Sequence, residues 1–347
     1  MEKAKKKKGL RSLFRVIIVL AALAAIAVFY AHKTVLAPFK TKETVYVYIG
    51  PDKNFDKLVQ QLNEKAGLPS ESLFRLIAQR MKYPENIKTG RYAVRNGDNM
   101  MSLIRRLRSG EQTAVDLTFN NIRTKDNLAG RLSQQLMVDS LTLLNALNDA
   151  EKARSFGFDE NTFVAMFIPN TYQVYWDTSE DKLLARMKKE YDAFWNADRR
   201  AKAEKQGLTP VQVSTLASIV EEEATYADEY PVVAGLYLNR LHRGMRLEAD
   251  PTVKFAVGDF ALRRILYRHL EIDSPYNTYK NDGLPPGPIR IPSIKGIDAT
   301  LSPQQNNYLF MCAKDDLSGR HNFAATHAEH TRNAARYQKA LNERGIY

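Results

Sequence analysis

The feature that most constrains this chain is an uncharged run near its start, VIIVLAALAAIAVFYA, from Val16 to Ala31. In front of it stand Lys3, Lys5, Lys6, Lys7, Lys8, Arg11 and Arg15, against Glu2 alone. A helix needs about 17–25 apolar residues to cross a bilayer. Leu13 and Phe14 lengthen the run beyond Arg15, whose charge can snorkel to the interface. A cleaved leader would carry small residues after its apolar stretch, but Phe29, Tyr30 and His32 stand there instead and suit a membrane interface. The expectation is therefore an uncleaved, single-pass helix over 16–31 in the inner (plasma) membrane. The basic tail, 1–15, stays in the cytoplasm by the positive-inside rule. Residues from about 33 onward then work outside the cell membrane, away from ATP, NADH and other cytoplasmic cofactors.

Composition closes off several other classes. The net charge is +12 over 347 residues, but that tail holds seven of the bases against one acid. The basic balance is therefore a poor argument for a nucleic-acid partner, and no basic stripe interleaved with aromatics occurs elsewhere. Cys312 is the sole cysteine, which excludes an intrachain disulfide and a cysteine-based zinc cluster. His327 and His330 are three apart but lack a further ligand at zinc spacing. No P-loop, dinucleotide fingerprint or G-x-S-x-G elbow is present. Neither a metal nor a cofactor is expected.

After a linker over 32–43, the segment 44–112 reads strand, helix, helix, strand. Thr44–Ile49 (TVYVYI) is β-branched and aromatic. Helical periodicity follows over 53–65 and 70–81, then TGRYAV (89–94) turns into a second strand. A further helix over about 98–108 stops at Gly110. This β-α-α-β order is that of a small LysM-like sugar-binding unit, or of a generic α+β packing unit. Residues 113–208 form a connecting part. It holds a strand at Val115–Phe119, helices over 124–136 and 139–149, and an aromatic stretch Phe163–Tyr175 broken by a turn at Pro169-Asn170. One long charged helix spans 179–206. The remainder, 209–347, is the candidate catalytic domain. The fold class expected is α+β: a transmembrane helix, a LysM-like subdomain and a mixed, mainly helical catalytic domain.

Chemistry concentrates at one helix. Thr209-Pro210-Val211-Gln212 is a capping box with proline at the first helical position. The helix then reads VQVSTLASIVEEEATY. At 100° per residue, Leu216, Ala217, Val220 and Ala224 share a stripe with Val213. Glu221 and Glu223 fall on opposite shoulders of it, at about +80° and −80°, and Glu222 points to water at about 180°. A carboxyl at the edge of an apolar face is partly desolvated, so its pKa rises. A general acid needs that to keep its proton near neutrality. Periodicity does not choose between Glu221 and Glu223. Downstream, Pro275-Tyr276-Asn277-Thr278-Tyr279 precedes a Gly/Pro-rich stretch, 283–292, too rich in breakers for a helix or central strand. Tyrosines beside amide and hydroxyl side chains suit a sugar ligand.

These segments occur in order: LASIVEEEA (216–224), GLYLNRL (235–241), GMRLEADPTV (244–253), PYNTY (275–279), GLPPGPI (283–289) and HNF (321–323). Together they resemble the membrane-anchored endolytic murein transglycosylases, the MltG or YceG-like family. The resemblance implies cleavage of the β-1,4 bond from N-acetylmuramic acid to N-acetylglucosamine in peptidoglycan glycan strands. It also implies a 1,6-anhydromuramoyl end and a role in terminating nascent strands beside the peptidoglycan synthases. On the family pattern the catalytic glutamate maps to Glu221, which would serve as acid and then base. Glu223, Tyr226, Asn239, Tyr276, Asn277 and His321 are the implied substrate-binding residues. The chain departs from the pattern at Pro169-Asn170-Thr171-Tyr172, where an aspartate is common at position 170. Three rival readings are a non-catalytic peptidoglycan-binding scaffold, a hydrolytic muramidase using Glu223 or Asp250 as second carboxylate, and a nucleic-acid binder.

Overall fold

A computed structural model of the chain describes the backbone of residues 2–262 and 264–345 and the side chains of 13–262 and 264–345. Within the basic tail, 1–15, the side chains of residues 1–12 lie outside the described residues. Contacts divide the chain into two compact units, 1–116 with 173–177, and 117–172 with 178–347.

The first unit opens with α1 (Glu2–Val35), which outlasts the apolar run at both ends. Its portion Leu13–Val35 is 23 residues of mean hydropathy 2.6, long and apolar enough to cross a membrane. Then come β1 (Val45–Ile49), α2 (Phe55–Gln61), α3 (Glu71–Arg80), β2 (Gly90–Val94) and α4 (Met100–Ser109). The strand-helix-helix-strand order is as the sequence suggests. β1 and β2 pair antiparallel, with Val45 opposite Val94 and Ile49 opposite Gly90. Helix α2 passes into a π turn, Leu62–Ala66, and ends on Gly67 in the left-handed region. Asn99 and Ser102 close a capping box on α4, and Gly110 terminates it at φ 77°. Phe39, Val47, Leu62, Phe74, Tyr83, Tyr92 and Leu103 fill the core. The presence of Phe39 in that core corrects the expected linker over 32–43. Phe39 N donates to Asp98 O at 2.7 Å and Gly97 N to Phe39 O at 3.1 Å, so the segment is built in.

Strand β3 (Val115–Thr118) leads the chain out of the first unit, and β4 (Thr171–Val174) lies where it returns. The second unit holds α5 (Lys125–Ser133), α6 (Ser140–Asn148) and α7 (Ala150–Ser155). Next are α8 (Glu180–Phe194) and α9 (Ala197–Lys205), where one continuous helix is expected from the sequence. The break has a cause. Asn196 adopts an extended backbone and its side chain accepts from Arg199 N, capping a new helix, while Trp195 is buried.

The centre of this unit is α10 (Pro210–Glu223), capped by the Thr209/Gln212 box. Every residue from Val213 to Val220 is buried, including Ser214, Thr215 and Ser218. A helix enclosed on all sides has no water face. Around it pack α9, α11 (Tyr230–His242), α12 (Asp250–Val257) and α14 (Ile294–Leu301); α13 (Tyr267–Leu270) sits beside α12. The antiparallel pair β5 (Phe310–Ala313) and β6 (His321–Ala324), with α15 (His327–Glu343) against it, completes the unit. The Gly/Pro stretch is a pinned loop: Ile289 N donates to Ser218 Oγ at 3.0 Å and Ile291 N to Ile122 O at 2.8 Å.

Candidate active site

The three consecutive glutamates at the end of α10 meet three different environments. They occupy its last turn with no cation of that turn beside them. The helix dipole is negative there, so ionised carboxylates need outside help. Glu222 receives it. Its carboxylate accepts from Arg123 Nη2 at 2.8 Å and from Arg290 Nη1 at 2.7 Å. With a side chain only 14% exposed, Glu222 corrects the expectation that it faces water. The face opposite the stripe is covered too, and the two arginines replace the solvent.

Glu221 turns to the start of α14. Its Oε1 accepts from Ser293 N at 3.0 Å and from the Ser293 hydroxyl. Arg290 Nε lies 3.7 Å from Oε2, and the side chain is 4% exposed. Gly296 backs it so closely that a Cβ there would lie 2.4 Å from Oε1. Oε1 is thus held inside the protein by Ser293, and Oε2 has the Arg290 guanidinium at ion-pair distance.

Glu223 stands on the wall of a cavity of about 350 Å³ shared with Tyr237, Arg240, Asp250, Tyr279 and His321, among others. Tyr237, itself buried, donates to Glu223 Oε1 at 2.7 Å. Oε2 has no hydrogen-bond partner among the described residues. Burial pushes the Glu223 carboxyl up to about 7. The Tyr237 hydrogen bond opposes that rise, and the charges of Asp250 and Glu222 add to it. Across the cavity, Tyr279 OH donates to Asp250 Oδ1 at 2.7 Å. His321 is fixed by Glu229, which is buried: Glu229 Oε1 accepts from His321 N at 3.0 Å, and Oε2 lies 3.1 Å from Nδ1. A proton on Nδ1 leaves the Nε2 lone pair free to accept.

Of the residues singled out in the sequence, Glu223 and His321 come together on this cavity. Glu221, Tyr226, Asn239, Tyr276 and Asn277 do not line it. Asn277 is buried, and its amide donates to Leu270 O and Ile272 O at 2.8 and 2.9 Å while its oxygen accepts from Tyr279 N. It braces the loop that presents Tyr279. Asn239 likewise donates to the carbonyls of Asn306 and Tyr308. Tyr276 packs on Phe255 at 4.8 Å between ring centres, and burial raises its hydroxyl to about 12. Tyr226 is half-exposed, donates to Ser318 O at 3.0 Å and lies under Arg320. Sequence reasoning passes over Tyr237, Arg240 and Tyr279 as site residues. Tyr279 ends the PYNTY segment and Asp250 opens DPTV, so both were within segments already marked. Nothing in the spacing says that the two side chains meet.

The YceG-like family model matches residues 47–336. An endolytic murein transglycosylase of Bacillus subtilis (strain 168) is 28% identical over 334 residues, covering 91% of each chain. The endolytic murein transglycosylase of Streptococcus pneumoniae serotype 2 (strain D39 / NCTC 7466) is 25% identical over 342 residues, covering 87% of this chain and 60% of that protein. Among solved structures, a YceG-like protein from Listeria monocytogenes superposes with a TM-score of 0.54 at 28% identity, over 84% of this chain and 99% of its own. With its family match spanning both units and its ordered motifs gathered around α10, the chain belongs to the YceG-like family.

Proposed function

We propose that the cavity at Glu223 is the active site of a membrane-anchored endolytic lytic transglycosylase acting on peptidoglycan glycan strands. The single observation that carries this reading is a half-buried carboxyl on a cavity wall whose pKa is raised to about 7. Such a group is present in both protonation states near neutrality and can serve as acid and base in turn. The neutral Glu223 gives its proton to O4 of the departing N-acetylglucosamine as the C1–O4 bond of N-acetylmuramic acid breaks. The carboxylate then takes the proton of the muramyl C6 hydroxyl, whose oxygen bonds to C1. The product is a 1,6-anhydro ring, no water is consumed, and the acid is restored. Intramolecular closure draws its rate from proximity.

This reading moves the acid from Glu221, the sequence expectation, to Glu223. The reason is access: Glu221 Oε1 is held by Ser293, and Glu221 is not among the residues that line the cavity. His321, oriented by Glu229, is the cavity residue assigned to substrate positioning. Helix α1 is read as the anchor, with its amino end in the cytoplasm and the residues from about 33 onward outside the membrane, beside the peptidoglycan synthases. The first unit is read as LysM-like on its strand-helix-helix-strand order.

The test is digestion of purified sacculi by the full chain, followed by mass spectrometry. Anhydromuramoyl ends are expected. Reducing ends carrying oxygen from labelled water would instead favour a hydrolytic muramidase, for which Asp250 is the nearby second carboxylate. Glu223→Gln should lower cleavage by at least about 100-fold. A Glu223→Gln enzyme that cleaves normally beside an inert Glu221→Gln enzyme would return the role to Glu221.

A further inference from the structure

The acid-bearing cavity is the middle of three that share walls. On one side, Arg240, Glu248, Phe310 and His330 belong both to it and to a cavity of about 620 Å³ that also includes Arg246 and His327. On the other, Asp250 and Tyr279 belong both to it and to a cavity of about 550 Å³ lined by Arg264, Leu266, Tyr267 and Arg268. Glu223 thus lies on the cavity that adjoins both of the others. That layout suits a polymer entering at one side and leaving at the other.

The Asp250/Tyr279 flank carries an unusual surface residue. Tyr267, the first residue of α13, is 90% exposed, and Leu266 beside it is 40% exposed. A large aromatic ring left this open makes no contribution to the core. It does offer a flat apolar face at a cavity wall, the surface on which a pyranose ring stacks its axial hydrogens. Arg264 and Arg268 are exposed on the same wall. Arg268 Nε is directed to His269 at 3.3 Å, and neither arginine is ion-paired to a described carboxylate. Guanidinium groups with no carboxylate partner among the described residues, beside a stacking ring, match a glycan strand whose lactyl-linked peptides carry carboxylates.

We propose that the cavity at Tyr267 is a glycan subsite next to the cleavage site, with Tyr267 as the stacking platform and Arg264 and Arg268 as its anion-gripping rim. The occupant is the stretch of the same peptidoglycan strand that lies beyond Asp250 and Tyr279. This inference deepens the proposed function and rests on it.

The test is steady-state cleavage of long, uncrosslinked glycan strands by the full chain in detergent. Tyr267→Ala is expected to raise KM about five- to tenfold, the size of a lost aromatic stack. Tyr267→Phe keeps the ring face and should stay within about twofold of the native KM. An exposed side chain makes a folding defect an inadequate explanation, and an unchanged melting temperature verifies that. An unchanged KM in Tyr267→Ala overturns the subsite, and so does an equal rise in Tyr267→Phe. Failure of the underlying reading registers elsewhere, as full cleavage by Glu223→Gln.

Discussion

Tyr237 donates its phenolic hydrogen to Glu223 Oε1 across 2.7 Å, from a ring buried in α11. The bond stabilises the ionised carboxylate and so holds its pKa below what burial alone would give. Tyr237→Phe removes that brake with almost no change in volume. The Glu223 carboxyl should then keep its proton to higher pH. Because the acid form starts the reaction, the alkaline limb of the kcat/KM profile should move upward. A pH series on native enzyme and variant measures it; an alkaline limb that stays in place or moves down would reject this role for Tyr237.

The same carboxyl ties stability to pH. Its folded pKa of about 7 is raised from 4.5. The folded chain therefore holds a proton that the unfolded chain releases between those values. The resulting stabilisation is complete below the unfolded pKa and lost as pH rises through the folded one, about 3 kcal/mol in all. Glu223→Gln has no such dependence. Relative to the native chain it should gain about that much between pH 4.5 and 8. Urea denaturation at the two ends of this window checks it.

Gly296→Ala tests how tightly Glu221 is held. Alanine gains about 1 kcal/mol over glycine in a helix. Here the new Cβ would meet Glu221 Oε1, Cδ and Cγ at 2.4–2.8 Å. The buried side chain would have to leave Ser293, and bonds to a charged group contribute about 1.5–3 kcal/mol each. The loss exceeds the gain, so the variant should be destabilised by about 1–2 kcal/mol. A calorimetric scan showing a more stable protein would refute this.

Glu222→Gln leaves Arg123 and Arg290 facing a neutral amide. Both guanidiniums were held by that carboxylate at 2.7–2.8 Å. Arg123 is then left without a carboxylate among the described residues and Arg290 with only Glu221 Oε2 at 3.7 Å; removing the counter-charge of a partly buried pair is costly, so a loss of about 2–3 kcal/mol is expected. The midpoint of chemical unfolding reads it.

Local signals in the chain gave most elements directly. The capping box Thr209/Gln212 marks the start of α10, Gly110 the end of α4, and the β-branched and aromatic content of TVYVYI marks β1. The site was half legible. A 100° wheel places Glu221 and Glu223 symmetrically about one stripe and leaves Glu222 in water, which holds only for a helix with a solvent face. The covering of α10 by α11, α12 and α14 is a tertiary fact. It gives Glu222 its arginines, Glu221 its serine and Glu223 its cavity. Asn277 shows the converse limit. An amide in a tyrosine-rich segment suits a sugar, yet its hydrogen bonds to Leu270 O and Ile272 O spend it on the loop itself.

Helix α1 ends at Val35, and Phe39 is already embedded in the first unit. Four residues can stretch at most about 14 Å. The tether therefore has almost no slack, and the part of the first unit that follows α1 is confined to the immediate vicinity of the helix end. If α1 is seated in the bilayer, that unit samples a thin shell next to the lipid surface, and material deeper in the wall must come to it.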